Sequence, residues 1–147
     1  MIVTFDHPAL STVAEPVTAH DSPAVRTVID TMRRELAKHP TGVGLAAPQV
    51  GVSMRIILVQ SEVRGCKPFA MLNPIIRRRS EATQFMSEGC LSYPGVLASI
   101  ERRKYVEVEW TREDGREMYD RFTGLQARII QHEIDHLDGI CIWRKAY

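Results

Sequence analysis

The residues from Gln131 to His136 constrain the fold of this chain most, because the spacing of their two histidines has a meaning on a helix. His132 and His136 are four residues apart, and side chains at that spacing lie one above the other on one helix face. Two imidazoles placed in this way can hold one metal ion, and the His-Glu-x-x-His pattern occurs in metal hydrolases. Glu133 points about a quarter-turn away. It can therefore reach a water at the metal without being a ligand, which suits a general base.

The flanking residues predict where this helix begins and ends. Thr123 is followed three residues later by a glutamine, which is the pattern of a capping box. We expect the helix to run from about Gly124 to Leu137 or Asp138 and to end at Gly139.

The rest of the chain predicts strands and one further helix. The further helix begins at Ser22-Pro23 and stops at Pro40. Apolar runs and alternation predict strands over residues 55–59, 69–73, 75–79, 104–110 and 116–122. Residues 87–95 are rich in glycine and proline and are predicted to be a loop or turn. The fold class is therefore α+β, with antiparallel β-sheets packed around the central helix that carries the motif, plus one N-terminal helix.

Length, charge and cysteine content limit the class of protein. A chain of 147 residues fits one domain over residues 1–147, and a net charge of +1 gives no argument for nucleic acid as an obligate partner. Cys66, Cys90 and Cys141 are an odd and sparse set, which indicates a reducing compartment. We find no secretory signal and no apolar window long enough for a bilayer, so we expect a cytoplasmic protein with no membrane partner.

Two other stretches could complete a site around the histidines. Residues 42–51 are mostly small, and Gln49 is the side chain among them that offers both a donor and an acceptor. Taken alone, this stretch is more simply a tight turn into a strand. Cys90 lies on the predicted turn and is either a buried thiol or a third ligand, since thiolate and imidazole together suit zinc or ferrous iron. The histidine pair favours the ligand interpretation.

Three stretches together resemble, in order and spacing, the three signature motifs of peptide deformylases. They are Gly42-Val43-Gly44-Leu45-Ala46-Ala47-Pro48-Gln49, Glu88-Gly89-Cys90-Leu91-Ser92 and Gln131-His132-Glu133-Ile134-Asp135-His136-Leu137. The resemblance implies a metal site of Cys90, His132 and His136, with water in the fourth position. The family usually uses Fe2+ in the cell and tolerates Zn2+, Ni2+ or Co2+.

The resemblance also implies a reaction, which is hydrolysis of the N-terminal formyl group of peptides that start with formylmethionine. The products are formate and a free amino terminus. Glu133 would accept a proton from water and deliver it to the leaving amine. The side-chain amide of Gln49 and the backbone N–H of Leu91 would donate hydrogen bonds to the oxyanion.

Substrate recognition would combine an apolar pocket with backbone pairing. The pocket candidates are Val43, Met86, Leu91, Leu125 and Ile129, with the stem of Arg128 at the rim. The peptide would add as a strand beside Val43-Gly44-Leu45 and the Cys90 loop, which includes Glu88 and Gly89. An ordinary core is the alternative interpretation of the apolar residues, Met86 and Leu125 in particular.

Two departures from the family pattern limit what the resemblance implies. The sequence ends eight residues after Gly139, at Tyr147, so we expect no long C-terminal helix. That helix is associated with ribosome docking in the family, and short forms resemble those of some bacteriophages. Leu97 occupies a region where some members carry a substrate-contacting arginine. Arg102 is expected to have a structural role, with Asp135 as a partner.

Two other functions are compatible with parts of this pattern. A metallopeptidase of the broader His-Glu-x-x-His class would need a later histidine or glutamate ligand, and no histidine follows His136. A non-catalytic binding module could keep the same fold. It is disfavoured because Glu133, Gln49 and all three proposed ligands are present.

Overall fold

The computed structural model describes residues 1–142 of the chain. Its helices are α1 (Pro23–Ala37) and α2 (Gly124–Leu137), and two short 3-10 helices cover Pro8–Ser11 and Ala47–Val50. Its strands are β1 (Gly44–Ala46), β2 (Ile56–Val59), β3 (Phe69–Arg79), β4 (Thr83–Cys90), β5 (Tyr93–Arg103), β6 (Tyr105–Thr111) and β7 (Glu117–Thr123). No helix within this range is long and apolar enough to cross a membrane.

The strands form two antiparallel sheets, which confirms the α+β fold class. One sheet has the order β1-β2-β3-β6-β7, and β4 pairs with β5 in a separate hairpin. Alternating side chains of β2 enter different cores. Ile57 and Val59 pack with residues of α2 in what we call the α2-side core, whereas Ile56 and Leu58 pack with residues of α1 in the α1-side core. The five-stranded sheet is therefore covered on both faces at β2, which explains why this strand is apolar throughout.

The helix boundaries agree with the sequence prediction, but the cap of α2 does not. The Ser22 hydroxyl accepts a hydrogen bond from the Val25 N–H at 3.2 Å and begins α1 as expected. The predicted capping box at Thr123 is wrong, because its side chain makes no cap hydrogen bond. The Gln126 amide donates instead to the Gln60 carbonyl oxygen, 3.0 Å away beyond the end of β2. It thereby connects α2 to the sheet.

One predicted boundary between strands is wrong. Residues 69–79 form one strand and not two, because a bulge between Leu72 and Ile75 accommodates the proline between them. Asn73 adopts a φ of 51° at this bulge, and its side chain bonds both the N–H and the carbonyl oxygen of Val17.

The predicted loop over residues 87–95 is mostly strand. Only Leu91 and Ser92 form the turn between β4 and β5, and Pro94 lies within β5. A two-stranded hairpin leaves the outer edge of each strand unpaired, and an edge tolerates a proline that cannot donate a hydrogen bond.

Side chains hold this hairpin on α2. The Gln131 amide donates to the Arg103 carbonyl oxygen and accepts from the Arg103 N–H, both at 2.9 Å, as a neighbouring strand would. The hairpin has its own small core of Tyr93, Ile100 and Ile142. We expect no long helix after Gly139, and this prediction concerns residues 143–147, which lie outside the described residues.

Candidate metal centre

Cys90, His132 and His136 come together although they lie on different elements. One ligand atom from each lies within 4.8 Å of the others, and the Cys90 sulfur is 3.2 Å from Nε2 of His136. Helix α2 presents both histidines on one face, and Cys90 is the last residue of β4. One sulfur and two imidazole nitrogens are a donor set that suits a divalent transition metal.

A carboxylate fixes the orientation of His132. Oε1 of Glu88 lies 2.9 Å from Nδ1 of His132. Burial would raise the pKa of Glu88, but hydrogen bonds from His132 and Arg102 lower it to about 2. An ionised carboxylate can only accept, so Nδ1 carries the proton. This directs Nε2 toward the site, where a metal ion would take the place of the proton on that nitrogen.

Two buried arginines compensate the charge of Glu88. Arg102 donates through Nε and Nη2 to the two carboxylate oxygens at 3.0 and 2.9 Å, and Arg128 donates through Nη1 to Oε2. Arg102 also donates to Asp135, so the expected contact between these two residues is present. Buried charges are tolerated when they are paired in this way.

The two histidines experience opposite electrostatic surroundings. Burial lowers the pKa of His136 to about 3, so this imidazole is neutral, which is the form that binds metals. Burial would also lower the pKa of His132, but the adjacent Glu133 carboxylate and the Cys90 sulfur raise it to about 10. The site therefore stabilises a positive charge on the His132 ring, and a metal cation bound at Nε2 would supply that charge in place of the proton.

Glu133 is a buried carboxyl group with an unused oxygen. Burial raises its pKa to about 7. Oε1 has no hydrogen-bond partner among the described residues, and Oε2 lies 2.9 Å from where a Cβ on Gly44 would be. A carboxyl group with a pKa near neutrality can both accept and return a proton.

The Gln49 amide is held in one orientation beside Cys90. Its oxygen accepts from the Ala46 N–H at 2.9 Å, and its nitrogen donates to the Ser92 hydroxyl at 3.1 Å. The same nitrogen donates its second hydrogen to the Cys90 sulfur at 3.5 Å, so this N–H is directed toward the proposed metal ligands. The contact of Ser92 with Gln49 was not predicted from the sequence, although this serine is the last residue of the second motif.

A cavity of about 650 Å³ opens onto these residues. Of the predicted substrate-binding residues, those that line it are Val43, Gly44, Met86, Glu88, Gly89, Leu91, Leu125, Arg128 and Ile129. Further lining residues that lie outside the three motifs are His39, Thr41, Ser87, Tyr93, Pro94, Gly95, Val96 and Leu97. The N–H of Leu91 has no acceptor within hydrogen-bonding distance in the described part of the chain.

The surroundings of three predicted substrate-binding residues limit how each could contact a substrate. Leu45 is fully buried in the α1-side core, because alternation along β1 turns its side chain away from α2. Only its backbone remains available beside the cavity. The Glu88 carboxylate is occupied by His132 and the two arginines. Arg128 is buried and not at the rim, since its guanidinium is bonded within the fold.

Comparison with known proteins gives consistent matches over almost the whole chain. The family model described as polypeptide deformylase matches residues 1–146. A peptide deformylase of Thermotoga neapolitana is 41% identical over 141 residues, which cover 94% of this chain and 81% of that protein. A Met-Ala-Ser-bound crystal structure of a class I type b peptide deformylase from Acinetobacter baumannii has a TM-score of 0.90 at 32% identity, covering 99% of this chain and 96% of that one. A probable peptide deformylase from Synechococcus phage S-SSM7 has a TM-score of 0.90 at 35% identity, covering 99% and 98%.

Proposed function

The chain belongs to the polypeptide deformylase family, and from this premise we propose which of its residues carry out the reaction. It is a hydrolase that removes the N-formyl group from the formylmethionine of nascent peptides and releases formate. We propose that residues 1–147 form a single catalytic domain, which the family match over residues 1–146 supports.

Members of this family depend on a metal, and Cys90, His132 and His136 are the proposed ligands. The observation that carries the proposal is the convergence of these three residues beside Glu133 and the Gln49 amide. We propose Fe2+ as the metal in the cell and Zn2+, Ni2+ or Co2+ as substitutes in purified protein, because one thiolate and two imidazoles suit all of them. A metal held there supplies a Lewis acid that lowers the pKa of water and polarises a carbonyl oxygen.

Glu133 is the proposed general base and acid. Its raised pKa, about 7, lets the carboxylate accept a proton from water and return it to the amine that leaves the formyl carbon. The lack of a partner for Oε1 among the described residues supports this role, because a carboxylate used only for structure would be hydrogen-bonded.

Gln49 and Leu91 are the proposed donors to the tetrahedral oxyanion. The Gln49 amide cannot rotate without losing its bonds to Ala46 and Ser92, so its second N–H is fixed before substrate binds. The Leu91 N–H lies on the turn directly after Cys90 and lines the same cavity. Donors fixed in advance need no reorganisation during the reaction, which is the main source of such stabilisation.

The substrate peptide is proposed to add to the outer edge of β1. The other edge of β1 pairs with β2, and β1 ends its sheet. The first side chain would enter the part of the cavity lined by Met86, Leu125 and Ile129. The A. baumannii relative, solved with Met-Ala-Ser, shows that a peptide of this kind is bound by that protein.

The proposed partners are N-formylmethionyl peptides and, during synthesis, the ribosome that carries them. No membrane or obligate nucleic-acid partner is proposed, in keeping with the net charge of +1. The proposed location is the cytoplasm, because formylated nascent chains are made there.

Formate release tests this assignment. Protein prepared anaerobically with Fe2+ should release formate from formyl-Met-Ala-Ser and leave the Met-Ala and Ala-Ser bonds intact. Metal-loaded, folded protein that releases no formate would overturn the proposal. Cleavage of an internal bond would instead indicate a metallopeptidase, and tight binding of the peptide without turnover would indicate a binding module.

A further inference from the structure

Arg128 separates the catalytic cavity from a second space. A groove of about 370 Å³ lies beside the main cavity and is lined by Gln84, Met86, Arg103, Lys104, Gly124, Leu125 and Arg128. Three of these residues, Met86, Leu125 and Arg128, also line the main cavity. They therefore form the wall between the two spaces.

The three wall residues differ in how firmly they are held. Met86 is 45% exposed and Leu125 is 55% exposed, whereas Arg128 is only 8% exposed. Exposed apolar side chains can change rotamer on a fast timescale. Arg128 is thus the buried, inner part of the wall, while Met86 and Leu125 form its outer part.

Hydrogen bonds fix the Arg128 guanidinium in place. Nη2 donates to the Gln84 carbonyl oxygen at 2.6 Å, and Nη1 donates to the Ile100 carbonyl oxygen at 3.2 Å and to Glu88. These acceptors belong to both strands of the β4–β5 hairpin. A planar guanidinium held by three acceptors cannot swing aside without leaving buried groups unpaired.

The pairing with Glu88 also determines what kind of selection this wall can exercise. The carboxylate, which is shared with Arg102, compensates the positive charge of Arg128. A compensated charge attracts or repels a ligand side chain only weakly. The wall therefore discriminates by length and not by charge.

We propose that Arg128 is a specificity-determining residue, whose guanidinium closes the pocket for the first side chain of the peptide at the length of methionine. This inference rests on the proposed function, in which that side chain enters beside Met86, Leu125 and Ile129. In this proposal a side chain of methionine length ends before it reaches the guanidinium. Longer unbranched side chains would have to displace it and break its hydrogen bonds.

A series of formylated peptides of the form formyl-X-Ala-Ser tests the proposal. X is norleucine, methionine or 2-aminooctanoic acid, which differ in the length of an unbranched side chain. For the unmodified protein we expect kcat/KM to be similar for the first two and about tenfold or more lower for the third. Arg128→Ala should join the pocket to the groove and remove most of this difference. Arg103→Ala is the matched control, because Arg103 lines the groove but not the main cavity. This variant should leave the length profile unchanged.

Folding of the variant is followed by thermal unfolding and metal content. If Arg128→Ala does not fold, Arg128→Lys is measured instead, because it keeps a cation for Glu88 with a smaller head group. We expect its length profile to lie between that of the unmodified protein and a flat profile. A flat length profile in the unmodified protein, or an unchanged profile in a folded Arg128 variant, would refute the proposal. In both cases turnover of formyl-Met-Ala-Ser would still support the deformylase assignment, so the two failures are distinguishable.

Discussion

Nδ1 of His132 lies 2.9 Å from Oε1 of Glu88, which connects a proposed metal ligand on α2 to the strand that carries the thiolate ligand. The two residues are far apart in sequence and belong to different motifs. Because Glu88 also accepts from Arg102 and Arg128, the orientation of His132 depends on a buried cluster of charges. Replacing any member of the cluster should affect the metal centre.

Glu88→Gln should weaken metal binding by about 10-fold to 100-fold, since the amide keeps the shape but leaves the arginines without their anion. The measurement is competition with a chromogenic chelator for Zn2+. Glu101→Gln is the matched control, because Glu101 is on the same hairpin. Among the described residues its carboxylate accepts a hydrogen bond only from the Thr83 hydroxyl. Equal affinities for the two variants would contradict the orienting role of Glu88.

Glu133→Gln should reduce kcat for formyl-Met-Ala-Ser by about 10²-fold to 10⁴-fold, because the amide cannot carry the proton. The metal content should stay unchanged, since Glu133 is not a proposed ligand. Glu109→Gln, at a surface ion pair with Arg77, should behave like the unmodified protein. A variant at Glu133 that retains full turnover would exclude general-base catalysis by this residue.

Ser92→Ala should lower kcat with little change in KM, because the Gln49 amide loses the acceptor that fixes its orientation. We expect a loss of about tenfold, smaller than the roughly 10²-fold loss expected for Gln49→Leu. The double variant decides whether the serine acts through the glutamine. Equal rates for the double variant and Gln49→Leu are expected, and additive losses would show an independent role.

Gly44→Ala should impair both stability and activity. The new Cβ would lie 2.6 Å from Cγ2 of Ile129 and 2.9 Å from Oε2 of Glu133. We expect a loss of about 1–3 kcal/mol in the free energy of unfolding, measured by urea denaturation. Gly89→Ala is the comparison for stability alone, since its Cβ would approach only the exposed Leu97 side chain and the Val96 carbonyl oxygen. A Gly44 variant as stable as the Gly89 variant would contradict this packing.

Removal of the metal should lower the melting temperature by about 5 °C or more, because a ligand that binds only the folded state stabilises it. Differential scanning calorimetry before and after chelation measures this shift, and added Zn2+ should reverse it. Cys90→Ser should show a smaller shift, since it replaces the thiolate. An unchanged melting temperature in the unmodified protein would argue against a site with ligands from both β4 and α2.

The spacing of apolar residues in the sequence predicted the strands and the helix that bury one or both of their faces. The strand predicted over residues 104–110 from alternation is confirmed as β6, in which Val106, Val108 and Trp110 are buried, and α2 has the expected boundaries. The apolar run of β2 is confirmed as a strand buried on both faces. These features depend on neighbours in sequence, so the sequence alone was sufficient for them.

The features that the sequence did not predict depend on distant partners. Glycine and proline between residues 87 and 95 indicated a loop, yet they are tolerated at the edges of a two-stranded hairpin. Arg128 has no local acidic neighbour, and its buried position follows from Glu88 on another element. The predicted capping box of α2 is wrong because the Gln126 amide donates a hydrogen bond to the Gln60 carbonyl oxygen. The errors at Arg128 and Gln126 therefore have their cause in a tertiary contact, whereas the error over residues 87–95 follows from what the hairpin edges tolerate.

Within residues 1–142, the β4–β5 hairpin shares no ladder with the five-stranded sheet, and side chains such as Gln131 and Arg102 hold it on α2. Segments held in this way exchange their amide hydrogens through local opening, at a lower free energy than global unfolding. Such an opening would separate Cys90 from the two histidines while β2 stays intact. Slower amide exchange in β4 and β5 with metal bound, and no change in β2, would establish this opening, whereas equal exchange would refute it. The residence time of the metal would then be a property of the hairpin, and independent of how stable the rest of the protein is.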